Sequence, residues 1–378
     1  MRSGRQLALG LALAALAAPA APAPFLRPGP ALNPVLDHLE EIPADLAGSV
    51  ANSLGFLDRP GAARVYAQRD PGPFTLARTR RTLARFRELL DSARSAAALR
   101  AALRAEFEFY PVAGEDRRGT VLFTGYYEPA FEASRTPSPV YRYPLYQAPR
   151  DFKAWPRPHP TRAELVGSDG LRGAEGPLQG LELAWLRDRF QAFQVEIQGS
   201  ARLLLPDGGT MTVHNDGITD YPYVSLGRLL AADQKLKGSV GIPSITAYFD
   251  EHPEEVGPYL SRCNRMVFFR ETRDAQPRGS LEVPLTAHCT VATDKDLFPP
   301  GALVLAELEL PVPKADGGFT LRKVQRLVLD QDAGGGIKGP GKMDYFLGSG
   351  AEAGLVAGWT RSCGRAWYLL LKERAAED

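Results

Sequence analysis

From Thr120 onward the chain is built of short apolar or aromatic runs, each stopped within a few residues by Gly, Pro or Asp-Gly. No feature constrains the fold more. Such runs have the length and punctuation of strands joined by turns. They include Thr120 to Tyr127, Phe193 to Ile197, and Arg202 to Leu205 before Pro206-Asp207-Gly208-Gly209. Further strands are expected at Arg265 to Arg270, Ala302 to Leu310, Val324 to Leu329 and Ala366 to Leu371. The 37 glycines and 32 prolines among 378 residues exceed average usage and point the same way. Helical spacing is confined to a few places. Leu83, Phe86, Leu89, Leu90, Leu99 and Leu103 predict a surface helical pair, Ile242 to Glu255 a second helical piece, and Glu352 to Gly358 a short one. Residues 24 to 60 are Pro-rich, and Gln147 to Gly176 carries too many prolines and glycines for a regular element. The order helices, strands, helix, strands fits a mainly β fold with helical additions, not alternating βαβ units.

The N-terminus has the layout of a targeting segment. Arg2 and Arg5 precede an uncharged apolar run from Leu7 to Ala18, followed by Ala18-Pro19-Ala20 with small residues where a signal peptidase reads. The run is too short to span a bilayer, so export without a transmembrane anchor is expected. No cysteine follows it, so a lipid anchor is not expected. Lys plus Arg number 45 against 44 Asp plus Glu, and this balance gives no field to attract nucleic acid. The three cysteines at 263, 289 and 363 lack metal-site spacing. They suit either one disulfide, Cys289 to Cys363 before other pairings, or buried apolar packing. No metal or other cofactor is expected.

Chemistry-capable residues are densest between Asp330 and Phe346, where Asp330, Asp332 and Asp344 flank the turn Gly334-Gly335-Gly336 after an apolar strand. Successive glycines let a backbone approach a ligand closely. Gly336 to Lys342 spells G-x-x-x-x-G-K, but Met343 stands where a phosphate loop needs Ser or Thr, and Pro340 and Gly341 leave no helix behind it. Nucleotide binding is therefore not expected. Asp344 lies between Met343, Tyr345 and Phe346. A carboxyl in apolar surroundings resists ionising and becomes a proton donor near neutral pH; a solvent-facing aspartate on a strand is the alternative. Asp294-Lys295-Asp296 reads more readily as an Asx turn than as a catalytic pair. Phe123-Thr124-Gly125-Tyr126-Tyr127-Glu128-Pro129 offers aromatic faces with hydrogen-bonding tips, which suit sugar rings or, equally, a core strand. Gln198-Gly199-Ser200 and Tyr221 to Gly227 repeat that texture. No G-x-S-x-G or H-E-x-x-H string occurs.

Together these segments resemble the membrane-bound lytic murein transglycosylase A family. The matching pieces are Phe123 to Pro129, Phe193 to Ser200, Tyr223 to Leu230, Asn264 to Glu271, Pro284-Leu285-Thr286, Asp294 to Val304 and Asp332 to Gly358, then Gly364 to Trp367. The C-terminal part is similar to the family's 3D region, whose three aspartates fall at Asp294, Asp332 and Asp344. The resemblance implies a double-psi β-barrel catalytic domain with an inserted second β-barrel domain. The expected division is a signal peptide at 1–20, an N-terminal helical part at 21–128, the insert at 129–264, and the C-terminal barrel part at 265–378. It further implies cleavage of the β-1,4 bond between N-acetylmuramic acid and N-acetylglucosamine in peptidoglycan, with closure of a 1,6-anhydro ring. Asp344 would be the general acid and then base, with Asp332 as helper. Thr124, Tyr126, Glu128, Gln198, Ser200, Tyr223, Ser225, Asp294, Gly335 and Lys338 are the expected substrate contacts. An inverting glycan hydrolase on the same barrel and a non-catalytic wall-binding protein are the alternatives. The partners implied are glycan strands, met by a monomer in the periplasm or against the outer membrane. The chain departs from the family at Ala201, where Gly is usual after Gln-Gly-Ser, and at Thr219-Asp220, where Asn-Gly is usual.

Overall fold

The computed structural model describes residues 23–373 apart from 69–71, 94, 237–239, 274–275 and 315–317. The expected targeting segment at 1–20 lies outside them. No helix among the described residues is long and apolar enough to cross a membrane.

Helices α1 (Leu46–Leu57), α2 (Pro60–Ala67), α3 (Leu76–Ser92) and α4 (Ala96–Glu106) precede the first strands. The Thr75 hydroxyl accepts from the Arg78 amide to open α3, and Ser95 does the same for the Ala98 amide of α4. Each such cap stabilises by about 1 kcal/mol. Leu83, Phe86, Leu89, Leu99 and Leu103 form the buried stripe that the spacing predicts. The sequence reading gave no hint of α1. Its apolar positions Leu46, Val50 and Leu57 are helically spaced and buried, but Gly48, Ser49, Asn52, Ser53 and Gly55 dilute the pattern.

The barrel uses both ends of the chain. Its strands are β1 (Phe107–Pro111) and β2 (Val121–Glu128) from the N-terminal part, and five from the C-terminal part. Those five are β9 (Thr290–Ala292), β10 (Leu303–Pro313), β11 (Phe319–Asp332), β12 (Lys342–Ser349) and β13 (Arg361–Leu371), with α10 (Gly350–Trp359) between the last two. The order β13-β10-β11-β9-β12-β2 closes on itself because β2 also pairs with β13; β1 adds to β13 from outside the ring. Two pairings are parallel, β9 with β11 and β2 with β12. Phe123, Val291, Val304, Val328, Met343, Tyr345 and Tyr368 fill the barrel. The helical layer packs outside, and α1 reaches β11 through polar contacts. Gln331 Nε2 donates to the Ser49 carbonyl at 2.8 Å and to Ser53 Oγ at 3.0 Å, while Ser49 and Thr290 hydroxyls donate to its Oε1.

Between β2 and β9 lies the second unit: β3 (Ala130–Ser134), β4 (Tyr143–Tyr146), α5 (Arg162–Val166), β5 (Glu182–Leu186), α6 (Arg189–Gln198), β6 (Ser200–Leu204), β7 (Thr210–Ile218), α7 (Leu226–Ala232), α8 (Ile242–Glu251), α9 (Val256–Leu260) and β8 (Val267–Thr272). Its sheet runs β4-β5-β3-β6-β7-β8. The outer strands β4 and β8 come into contact, although no ladder joins them among the described residues.

Two expectations need correction here, and the choice left open for the cysteines is decided. Phe193 to Ile197 is not a strand but the second half of α6. Asp188 caps its start by accepting from the Gln191 amide at 2.9 Å, Gly199 ends it in the left-handed region, and Phe190, Phe193 and Gln194 are buried at helical spacing. The second unit's sheet continues past residue 264, because β8 pairs with β7. The cysteines form no disulfide. Cys289 packs in the core between helices and barrel and Cys263 in the cluster around α8 and α9, whereas Cys363 is exposed on β13.

Candidate active site

Two adjoining clefts lie between the barrel and the second unit, about 210 and 250 Å³ in volume. Ile197, Gln198, Tyr223, Lys342 and Asp344 line both, so Asp344 stands where the clefts meet. Strand alternation puts it there. On β12, Met343 and Tyr345 turn into the barrel core, so Lys342 and Asp344 share the other face. On β2, Phe123 turns inward and Thr124 and Tyr126 outward. The parallel register sets Asp344 opposite Thr124 and Phe346 opposite Tyr126. The Thr124 hydroxyl donates to Asp344 Oδ1. Lys342 Nζ lies 3.6 Å from the same oxygen, and the side chain of Asp344 is 20% exposed.

Burial pushes the Asp344 carboxyl above the ordinary aspartate range, and the nearby Asp332 adds to this. Lys342 and Thr124 oppose the shift without cancelling it. Asp332, at the end of β11, is held on three sides. Its Oδ1 accepts from the Ser280 and Ala333 amides at 2.8 Å each, and its Oδ2 accepts from Tyr126 Oη at 3.0 Å. Burial still raises its affinity for a proton. Behind it, Lys295 Nζ donates to the Asp332 carbonyl and pairs with the fully buried Asp330. Thr293 and Tyr368 hydroxyls also donate to Asp330.

The glycine loop forms the floor of the first cleft. A Cβ on Gly335 would lie 2.1 Å from the Arg265 guanidinium, and one on Gly336 would come within 3.2 Å of the Tyr223 ring. Both side chains need the bare backbone to sit where they do. Arg265 Nε donates to the Tyr221 carbonyl at 2.9 Å. Glu196 is the other carboxylate on these walls among the described residues. It is bound in two-fold fashion by the buried Arg162 at 2.5 and 2.7 Å.

Of the expected contacts, Thr124, Tyr126, Gln198, Tyr223, Ser225 and Gly335 line the clefts. The Ser225 hydroxyl also caps α7. Four others do not line them. Glu128 is fully buried, accepting from Ser349 Oγ at 2.5 Å and from Arg202 at 3.0 Å, which ties β2 and β12 to β6. Ser200 is buried at the start of β6, opposite His214. Asp294 and Lys338 pair with each other at 3.1 Å. Burial would raise the Asp294 carboxyl, but the Gly339 amide and Lys338 hold it below the ordinary range, so it fastens the loop. Lys342, Arg265, Lys295 and Asp330 were missed as site residues. Lys342 had a signal, because two residues' separation on a strand places it on the face of Asp344.

The chain matches the MltA specific insert domain over residues 122–270 and the 3D domain over residues 289–370. The membrane-bound lytic murein transglycosylase A of Vibrio cholerae is 33% identical over 262 residues, 68% of each chain. That of Escherichia coli K12 is 32% identical over 260 residues, 68% of this chain and 67% of the relative. A crystal structure of Escherichia coli MltA with bound chitohexaose superposes with a TM-score of 0.69 at 26% identity, covering 93% of this chain and 95% of that one. The membrane-bound lytic murein transglycosylase of Agrobacterium tumefaciens gives 0.69 at 28% identity, covering 87% and 93%.

Proposed function

The chain belongs to the membrane-bound lytic murein transglycosylase A family, and from that premise we propose that it is a peptidoglycan-cleaving lyase whose general acid and base is Asp344. The glycan lies along the two joined clefts, with the scissile β-1,4 bond over Asp344. The chitohexaose held by the Escherichia coli relative supports a glycan as occupant. The protonated Asp344 gives its proton to the glycosidic oxygen as the C1–O bond breaks. Its carboxylate then takes the proton from the muramyl C6 hydroxyl, whose oxygen closes on C1 to form the 1,6-anhydro ring. No water is consumed, and Asp344 ends in the protonation state in which it began.

One observation carries this reading: among the described residues, Asp344 is the one carboxyl at the cleft junction that is not clamped by a cation or by donors on both oxygens. Asp332 has both oxygens occupied by donors and does not line either cleft, and Glu196 is clamped by Arg162. An inverting hydrolase needs a second carboxylate with room for a water. Asp332 acts instead as a helper that fixes Tyr126 at the cleft edge. Gln198, Tyr223 and the Gly335 backbone position the sugar rings. The enzyme works as an exported monomer, with the insert bounded near Ala130 and Thr272. Asp344→Asn is expected to abolish murein lysis while sparing glycan binding, and mass spectrometry of wild-type digests should show anhydro-muramyl ends. Unchanged lysis by the variant, or ends carrying water, would overturn the proposal.

A further inference from the structure

Lys342 closes the G-x-x-x-x-G-K string and opens strand β12, where a phosphate loop would open a helix. Its ammonium instead donates to the Gly336 carbonyl at 3.2 Å and faces Asp344 Oδ1 at 3.6 Å. The side chain is 30% exposed, so it is partly shielded from solvent, and it lines both clefts; among the described residues it is the cation that pairs with Asp344. A cation so placed favours the ionised carboxyl over the neutral one. Building on the assignment of Asp344 as acid and base, we propose that Lys342 is a positioning residue for the proton transfer. Anchored on the Gly336 carbonyl, it stabilises the carboxylate left when Asp344 has given up its proton, and so fixes the pH range in which the enzyme works.

The other groups around Asp344 leave this role to Lys342. From β2, Thr124 donates a neutral hydrogen bond, and Tyr126 is engaged with Asp332. From β9, the register neighbour is the apolar Ala292. At the end of β11, Asp332 repels the Asp344 anion. From the second unit come the neutral Gln198 and Tyr223, together with Glu196, which Arg162 neutralises. Arg265 stands over Gly335, and Arg361 lines only the second cleft. Burial thus disfavours the Asp344 anion most, the carboxyl of Asp332 adds to this, and Lys342 is the close ammonium that opposes both.

The test measures murein lysis against pH for the full chain and for Lys342→Gln, Lys342→Met and Lys342→Arg, with Asp344→Asn alongside. Removing the cation leaves Asp344 protonated to higher pH. The alkaline limb of kcat/KM is therefore expected to move upward by about one pH unit in both neutral variants. Their kcat at the wild-type optimum should fall roughly three- to tenfold, because the carboxylate is less stabilised. Lys342→Arg should keep the wild-type limb. An alkaline limb that stays in place in folded Gln and Met variants would overturn the proposal, whether the loss then appears in KM, as for a sugar contact, or in Tm, as for a loop anchor. If Asp344→Asn still lyses murein, the underlying assignment fails; if it is inactive while the limb stays put, only the role of Lys342 fails.

Discussion

Lys295 and Asp330 form a buried ion pair directly behind the candidate site, and its removal is the sharpest test of how that site is supported. Asp330 is fully buried and Lys295 is 14% exposed. Lys295→Met removes the only cation in this group, together with hydrogen bonds to Thr293 and to the Asp332 carbonyl. Asp330 keeps the Thr293 and Tyr368 hydroxyls, at 2.9 and 2.7 Å. Two neutral hydroxyl donors do not replace a cation beside a fully buried carboxylate. A buried charge left in this way costs about 3–5 kcal/mol, which at roughly 1.3 °C per kcal/mol for a chain of 378 residues lowers Tm by about 5 °C. Thermal unfolding of the full chain at pH 7, read by circular dichroism, measures the loss. The double variant Lys295→Met/Asp330→Leu should recover most of it, because replacing a buried pair by apolar groups of similar volume is close to neutral. A Lys295→Met protein within about 0.5 kcal/mol of the parent would refute the argument, because it would mean that solvent already compensates Asp330.

Other outcomes follow from the same structure. A Cβ on Gly364 would lie 2.0 Å from the Glu307 carbonyl in the β10–β13 pairing. Gly364→Ala should therefore lower stability by about 2–4 kcal/mol by urea unfolding; a neutral effect would mean that the strands do not pair as closely as described. Gly125→Ala meets Leu347, the Ala357 backbone and Thr360 within 2.9 Å and should displace α10, reducing lysis together with Tm. Asp344 binds its proton more tightly folded than unfolded, since burial raises its pKa. Its stabilising contribution is thus present below the unfolded aspartate value and is lost as pH rises through the folded one. Asparagine cannot ionise, so the Tm of Asp344→Asn minus that of wild type should grow across this window; a difference independent of pH would contradict the raised affinity.

Local signals carried much of the fold. Alternation with Gly and Pro stops located β2, β6, β8, β10, β11 and β13. Asp344 is partly buried, as expected, but not by its sequence flanks: Met343 and Tyr345 turn into the barrel, and the walls of the clefts shield it instead. The errors have physical causes. Phe193 to Ile197 is apolar enough for either element, and the decisive cues, Asp188 and Gly199, lie outside the run. Helix α1 hides because Ser49 and Ser53 face Gln331 instead of solvent, a match that local sequence cannot reveal. Glu128, Ser200, Asp294 and Lys338 were expected at the glycan because their segments match the family, but segment matching says neither to which side the strand residues Glu128 and Ser200 point nor that the loop residues Asp294 and Lys338 pair with each other. Lys295 and Asp330 find each other only through the parallel pairing of β9 with β11. Lys342 alone was within reach, by its two-residue spacing from Asp344.

Thr124 and Asp344 share a hydrogen bond across 220 positions of sequence, because the barrel draws β2 from before the second unit and β12 from near the C-terminus. A polypeptide that emerges in order, from a ribosome or through a translocation pore, therefore makes β2 long before its parallel partner exists. Closing so large a loop carries an entropic cost that local contacts do not offset early, and it slows folding. The acid acquires its hydroxyl neighbour and its buried surroundings only when nearly the whole chain is available. The cleft geometry is thus a property of the completed molecule: nascent chains and fragments clipped before β12 lack the paired strands that set Thr124 against Asp344.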